Sequence, residues 1–379
     1  MRILKNFNYD FVGKRNIGYA VSGLLFLLGV IFVVIRGFHF GIDFKGGSEI
    51  VLQFEKPIDI TKVRNDVENI GLGNVEAKTF GNESGVMIRT EQQVIPARIF
   101  PFITESINKE IDKVMPGVPR RIVDSTTSSV TYEFQNADTA NTMVAAIFDA
   151  GFQSGKVSEE LTNNQMVVSV GIADWIKDNL RKKIVDNSFT VLKEDRIGPK
   201  IGEELKRGAV VAIFFSILSI LIYLAFRFKF IFAFGAVAAL FHDTLITLGL
   251  FAILYGVIPG LTLEIDLTVI AAFLTLMGYS VNDTIIVFDR IRENLKIHKT
   301  KPLVDIINSS ISQTMSRTIL TVTTTLITVI ILLIFGGEVI RAFAFTMLFG
   351  ILIGTYSSIF VASALIYEYS SIYHKKVEF

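Results

Sequence analysis

The chain has 379 residues, 51% of them hydrophobic and 19% charged, with a clearly positive mean hydropathy. That composition describes an integral membrane protein with room for a soluble domain as well. A net charge of +1 gives no footprint for nucleic acid, the absence of cysteine removes disulfides, Cys-ligated zinc and thiol nucleophiles, and four scattered histidines (His39, His242, His298, His374) make no metal cluster.

Residues 1–16 carry Arg2, Lys5, Lys14 and Arg15 and lead into the apolar run Ile17–Ile35. The length of this run, and the lack of an A-x-A site after it, make it an uncleaved first transmembrane helix rather than a signal peptide. A soluble-like region, 37–207, follows. Glu49–Phe54 alternates as a strand does, after the turn chemistry of Gly46-Gly47. Val63, Val67 and Ile70 have helical spacing closed by Gly71. Val75–Phe80 and Val86–Thr90 read as a strand pair around Gly81-Asn82, and Pro96–Val114 as a second helix.

A shift of about 80 residues then restores the pattern. Ile50, Leu52 and Phe54 meet Val130, Tyr132 and Phe134; Val63 and Val67 meet Met143 and Ile147; Gly71 meets Gly151. With a slip of one position, Ile99 and Ile103 meet Leu180 and Ile184. The region reads as a duplicated βαββα unit, 37–125 and 126–207, each copy closed by its own last strand near 120–125 and 188–194. The expected fold is therefore a polytopic α-helical membrane protein with a duplicated, ferredoxin-like α+β extracytoplasmic domain.

Five more spans are expected, at 208–226, 231–255, 267–289, 318–335 and 342–367 within a bundle over 208–379. The Arg227–Lys229 turn, the loop with Arg290, Arg292, Lys296, Lys299, Lys301 and Arg317, and the tail Lys375–Lys376 are basic, while 256–266 holds only Glu264 and Asp266. Alternating spans bring the basic segments to one side, which makes both termini cytoplasmic and 37–207 extracytoplasmic.

Inside the spans a few polar residues stand out. Asp243 lies about 20 Å from the cytoplasmic end of its helix. An ionisable group there costs about 2.5–3.5 kcal/mol on insertion and by default marks a functional site. Thr247 shares its face with Ala236 and Ala239. On the next helix Ala271, Thr275, Gly278 and Asn282 form a small, weakly polar stripe, with Gly278 at the depth of Asp243. Asp283 lies nearer the cytoplasm, with Arg290 two turns further on and placed to reach back. The fifth span adds Thr321, Thr324, Thr325 and Thr328, and the last adds Gly350, Gly354 and Ser358 at i, i+4, i+8. The expected ion-translocation set is Asp243, Thr247, Asn282, Asp283 and Arg290, and the packing set is Gly278, Gly350, Gly354 and Ser358. The competing readings are an interhelical staple for Asn282, an interfacial snorkeller for Arg290 and plain packing for the glycines. No catalytic residue, metal or cofactor is expected, and no Gly-x-x-x-x-Gly-Lys-Ser/Thr loop supports a nucleotide-driven pump.

GIDFKGGSEIVLQF (41–54), RIGPKIGEEL (196–205), FHDTLITLGLF (241–251), GYSVNDTIIVFDRIREN (278–294), SRTILTVTTT (316–325), FGGEVIRAFAF (335–345) and GTYSSIFVAS (354–363) closely resemble the SecD/SecF family of bacterial protein-export membrane subunits, part of the resistance-nodulation-division superfamily. The resemblance implies a pseudo-symmetric partner, SecD, beside the SecYEG channel in the inner membrane, with preproteins as substrates moved by the proton (or sodium) gradient. It also implies that Asp243 is the membrane carboxylate and that the NDT and DRIRE segments supply its polar neighbours. The family usually has a single compact α+β unit outside the membrane, whereas this chain has it doubled. A small-molecule or lipid transporter of the same superfamily is the alternative, and a passive assembly scaffold the third reading.

Overall fold

The computed structural model describes residues 9–373 except 74, 159, 161, 259, 260 and 262. Arg2, Lys5, His374, Lys375 and Lys376 lie outside the described residues. In chain order the first elements are α1 (Arg15–Arg36), α2 (Ile42–Lys45), β1 (Gly47–Phe54), α3 (Ile60–Glu68), β2 (Val75–Phe80), β3 (Asn82–Thr90) and α4 (Phe100–Val114). Then come β4 (Arg120–Thr126), β5 (Ser129–Phe134), α5 (Ala137–Asp149), β6 (Gln153–Lys156), β7 (Gln165–Ser169), α6 (Ile172–Lys183) and β8 (Phe189–Ile197). The chain continues with α7 (Pro199–Arg227), α8 (Phe230–Leu254), α9 (Leu267–Ile297), α10 (Leu303–Phe335) and α11 (Glu338–Ser357), then a π-helical turn (Ser358–Ala362) and α12 (Ser363–Tyr373). These elements form two compact units, Met1–Asp43 with Glu204–Phe379, and Phe44–Glu203.

Among the described residues six helices are long and apolar enough to cross a bilayer: α1, α7, α8, α9, α10 and the run Ile340–Ile372. All six coincide with expected spans. The fifth begins earlier than expected, at Leu303 after Pro302, because residues too polar to read as membrane continue the same helix. Its buried face there carries Ser310 and Thr314 beside Ile307 and Ile311. The parallel helices α1 and α8 touch where Gly29 meets Gly249; a Cβ on Gly29 would lie 3.0 Å from the Gly249 Cα. One heptad earlier Ser22 meets His242, the spacing of a left-handed helix pair. In the π-helical turn the Ser363 hydroxyl donates to the Ser358 carbonyl at 2.8 Å. Such turns re-aim the side chains of a helix and recur at functional sites.

The second unit holds two antiparallel four-stranded sheets of equivalent order, β2-β3-β1-β8 and β6-β7-β5-β4. Ile50, Leu52 and Phe54, and likewise Val130, Tyr132 and Phe134, are all buried in one shared core. The closing strands differ from expectation. β4 pairs with β5 of the second sheet and β8 with β1 of the first, so each copy lends its last strand to the other. The helices before them cross too: α6 packs on α3 and β1, and α4 on α5. The buried Trp175 Nε1 on α6 donates to the Ile70 carbonyl at 3.0 Å, fastening the exchange. Closing an arm in cis or in trans buries the same apolar alternation, so periodicity alone does not choose between them.

Candidate functional site

Asp243 sits near the middle of α8 and is 1% exposed. Its Oδ2 accepts from Ser280 of α9 at 2.7 Å and from Ser357 of α11 at 2.9 Å. Its Oδ1 lies 2.9 Å from Nδ1 of the adjacent His242, whose Nε2 is 2.8 Å from the Ser22 hydroxyl on α1. Ser22 Oγ in turn is 3.2 Å from the Tyr356 hydroxyl on α11, which donates to the Gly18 carbonyl at 2.5 Å. Groups from three helices thus meet one carboxylate, and a fourth helix, α1, reaches it through His242.

One feature of the chain makes this convergence possible. Gly354 lets α11 come close, since a Cβ there would stand 3.0 Å from Ser280 Oγ and 3.3 Å from Asp243 Oδ2. Hydrogen bonds to a charged group contribute about 1.5–3 kcal/mol each, and here they replace the water that a buried carboxylate has lost. Thr247, one turn along α8, is fully buried, and its hydroxyl has no hydrogen-bond partner among the described residues.

A second polar centre surrounds Asp283, 2% exposed on α9, to which Thr355 donates at 3.3 Å. Beside it a cavity of about 10 Å³ is bordered by Asp283, Thr314, Thr318, Thr355 and Ser358. That is room for about one water molecule. The two centres are joined by hydroxyls: Ser280 and Thr284 lie one turn apart on α9, and Thr284 Oγ1 is 2.8 Å from Ser358 Oγ.

Several expected residues lie elsewhere. The stripe Ala271, Thr275, Gly278 and Asn282 is exposed, and a Cβ on Gly278 would meet nothing within 4 Å. Ser280, not the Gly278 backbone, approaches Asp243. Arg290 does not reach back to Asp283; it hydrogen-bonds Gln313 and Glu293, both at 2.5 Å. The hydroxyls of Thr321, Thr324, Thr325 and Thr328 bond carbonyls one turn earlier in α10. Gly350 packs against Leu276, while Gly354 and Ser358 belong to the two polar centres. Ser22, Ser280, Thr355, Tyr356 and Ser357 were not singled out by sequence.

Residues 176–371 match the family model described as protein export membrane protein SecD/SecF, C-terminal, and residues 31–58 match the SecD/SecF GG motif. The protein translocase subunit SecF of Rhodothermus marinus is 39% identical over 368 residues, 97% of this chain and 95% of that protein. The same subunit of Calditerrivibrio nitroreducens is 35% identical over 375 residues, 98% of each. Among solved structures, SecDF from Thermus thermophilus, a translocon-associated membrane protein, superposes with a TM-score of 0.64 at 28% identity, covering 97% of this chain and 39% of that one. SecDF in its super-membrane-facing form gives 0.57 at 29% identity, covering 98% and 40%. The chain therefore spans about two fifths of the length of the solved SecDF chains.

Proposed function

The chain belongs to the SecD/SecF family of protein-export membrane proteins, and from that premise we propose that it couples the transmembrane proton gradient to preprotein movement beside the SecYEG channel. The observation that carries the reading is the buried Asp243 carboxylate, held by hydroxyls from two other helices and by its own neighbour His242. Its oxygens are met by hydroxyl hydrogens and an imidazole, the surroundings of a group that exchanges protons. A sodium ion would need those oxygen lone pairs turned inward instead. One proton crossing the field supplies about 2.3 kcal/mol per 100 mV. Neutralising the carboxylate weakens the bonds that tie α9 and α11 to α8, and so shifts the preferred packing.

SecD is the membrane partner in this proposal. The exposed stripe Ala271, Thr275, Gly278 and Asn282 on α9 offers small side chains for close helix contact. In this proposal that end of the bundle is cytoplasmic and residues 37–207 are extracytoplasmic, a reading supported by the basic residues Arg227, Lys229, Arg290, Arg292, Lys296, Lys299, Lys301 and Arg317. No covalent chemistry is assigned to the chain. Replacing Asp243 with Asn keeps the volume and removes the titration. The expected outcome is loss of the gradient-dependent part of export of a secreted precursor, with the ATP-driven part retained; undiminished export would sink the proposal.

A further inference from the structure

Of the two Asp243 oxygens, Oδ1 is the one not engaged by hydroxyls from neighbouring helices. Oδ2 receives the Ser280 hydroxyl hydrogen at 2.7 Å and lies 2.9 Å from Ser357, whose one proton has a second taker in the Gly354 carbonyl at 3.0 Å. Oδ1 faces His242 Nδ1. On the other side of the ring, the hydrogens can be counted. The Tyr356 hydroxyl has one proton, and it goes to the Gly18 carbonyl, which can only accept. Ser22 therefore has one proton and two takers, His242 Nε2 at 2.8 Å and the Tyr356 oxygen at 3.2 Å.

That count permits two arrangements. In the first, Ser22 donates to Nε2, and Nδ1–H donates to an ionised Asp243. In the second, Ser22 donates to Tyr356 and accepts from Nε2–H, and a proton lies between Nδ1 and Oδ1. The second holds one proton more than the first. Resting on the reading of Asp243 as the proton carrier, we infer that His242 is the relay through which that carboxylate is loaded, with Ser22 as the donor to the relay. A proton reaching the Ser22 oxygen displaces the hydroxyl proton onto Nε2. The Nδ1–H bond breaks as an Oδ1–H bond forms, and Ser22 turns to Tyr356. The charge of the pair goes from −1 to zero, and no group other than the incoming proton is consumed.

The groups around the ring are consistent with such a role. On α8 its titratable neighbour is Asp243; on α11 Tyr356 stacks at 6.2 Å between centroids; α1 presents Ser22. The cations of α1 are engaged elsewhere, Arg15 with Glu368 at 2.5 Å and Arg36 with the Tyr255 carbonyl at 3.2 Å. Imidazole can bind a proton on one ring nitrogen and release one from the other, which is what a relay requires.

The test reconstitutes the full chain with SecD in liposomes and follows proton uptake under an imposed pH gradient with an entrapped dye, across pH. Loss of a positioned proton-transfer group typically costs about 10²-fold or more in rate. His242→Gln is expected to slow uptake by about that factor and to flatten the pH profile, because an amide can donate to Oδ1 but cannot pass a proton through itself. Ser22→Ala is expected to slow uptake as well. In His242→Ala, added imidazole should restore uptake and pyrazole, of like shape but far weaker as a base, should not. Wild-type rate and profile in both His242→Gln and Ser22→Ala, or equal response to the two azoles, would overturn the relay. Asp243→Asn serves as the reference: if uptake survives that change, the carrier reading fails instead.

Discussion

At the scale of single residues, the centre depends on what is missing from Gly354. Gly354→Ala would push a methyl against Ser280 Oγ and Asp243 Oδ2, at 3.0 and 3.3 Å before relaxation. Ser280 should then turn away, and gradient-dependent export should fall toward the Asp243→Asn level at normal membrane abundance; wild-type export would show the close approach to be dispensable. Tyr132 offers a contrasting case in the α+β unit. Burial pushes its hydroxyl up to about 12, and the oxygen is buried with no hydrogen-bond partner among the described residues. Removing an unsatisfied buried hydroxyl relieves its desolvation cost, so Tyr132→Phe should stabilise the unit by about 1 kcal/mol, read by thermal unfolding. Asp243 was legible in the sequence because a carboxylate in an apolar run has few bland explanations. Ser280 and Ser357 were not, because a serine in such a helix is ordinarily satisfied by its own preceding turn. Asn282 lies away from the Asp243 centre for a simple geometric reason: two residues past Ser280 it points about 200° away around the helix.

At the scale of elements, the exchanged arms are what the sequence concealed. The strands, helices and shared apolar alternation were readable, since Ile50, Leu52 and Phe54 repeat as Val130, Tyr132 and Phe134 and all are buried. Which copy each arm completes depends on long-range pairing that leaves no local mark. Within the arm that the first copy lends, Arg120 of β4 ties the strand to its own helix: the guanidinium meets Asp112 of α4 at 2.5 and 2.9 Å and Asn108 at 2.9 Å. The hydrogen bond from Arg120 holds the Asp112 carboxyl below its ordinary 3.8. A depressed folded pKa means the unfolded chain takes up the proton first, so this contribution is whole above about pH 3.8 and is lost as pH falls through the lower folded value. Amide exchange at low pH should accordingly show β4 losing protection over that window ahead of β1. Asp112→Asn should remove the difference, and β4 and β1 fading together in the unaltered chain would contradict a role for this pair in holding β4 to α4.

At the scale of the whole molecule, the two connections of the α+β unit leave from neighbouring strands. Gly47 at the start of β1 pairs with Ile197 at the end of β8, and a Cβ on Gly46 would sit 3.1 Å from the Ile197 carbonyl oxygen. Beyond Ile197 a single residue, Gly198, separates β8 from the 29-residue helix α7. The spans and the outer region were legible from hydropathy, but this linkage was not, because a strand exchanged between copies was needed to bring both exits to one sheet. The prediction drawn from this connectivity is that a displacement of α7 is passed along the chain to β8, and to β1 through the ladder between them. Inserting a short Gly-Ser segment after Gly198 leaves the Asp243 centre and the two sheets chemically intact. Proton uptake in reconstituted vesicles should therefore survive, while gradient-dependent export drops to the level of Asp243→Asn. If export persists with the insertion in place, motion is not passed along α7, and the coupling has to run through α1 and the Gly46-Gly47 turn instead.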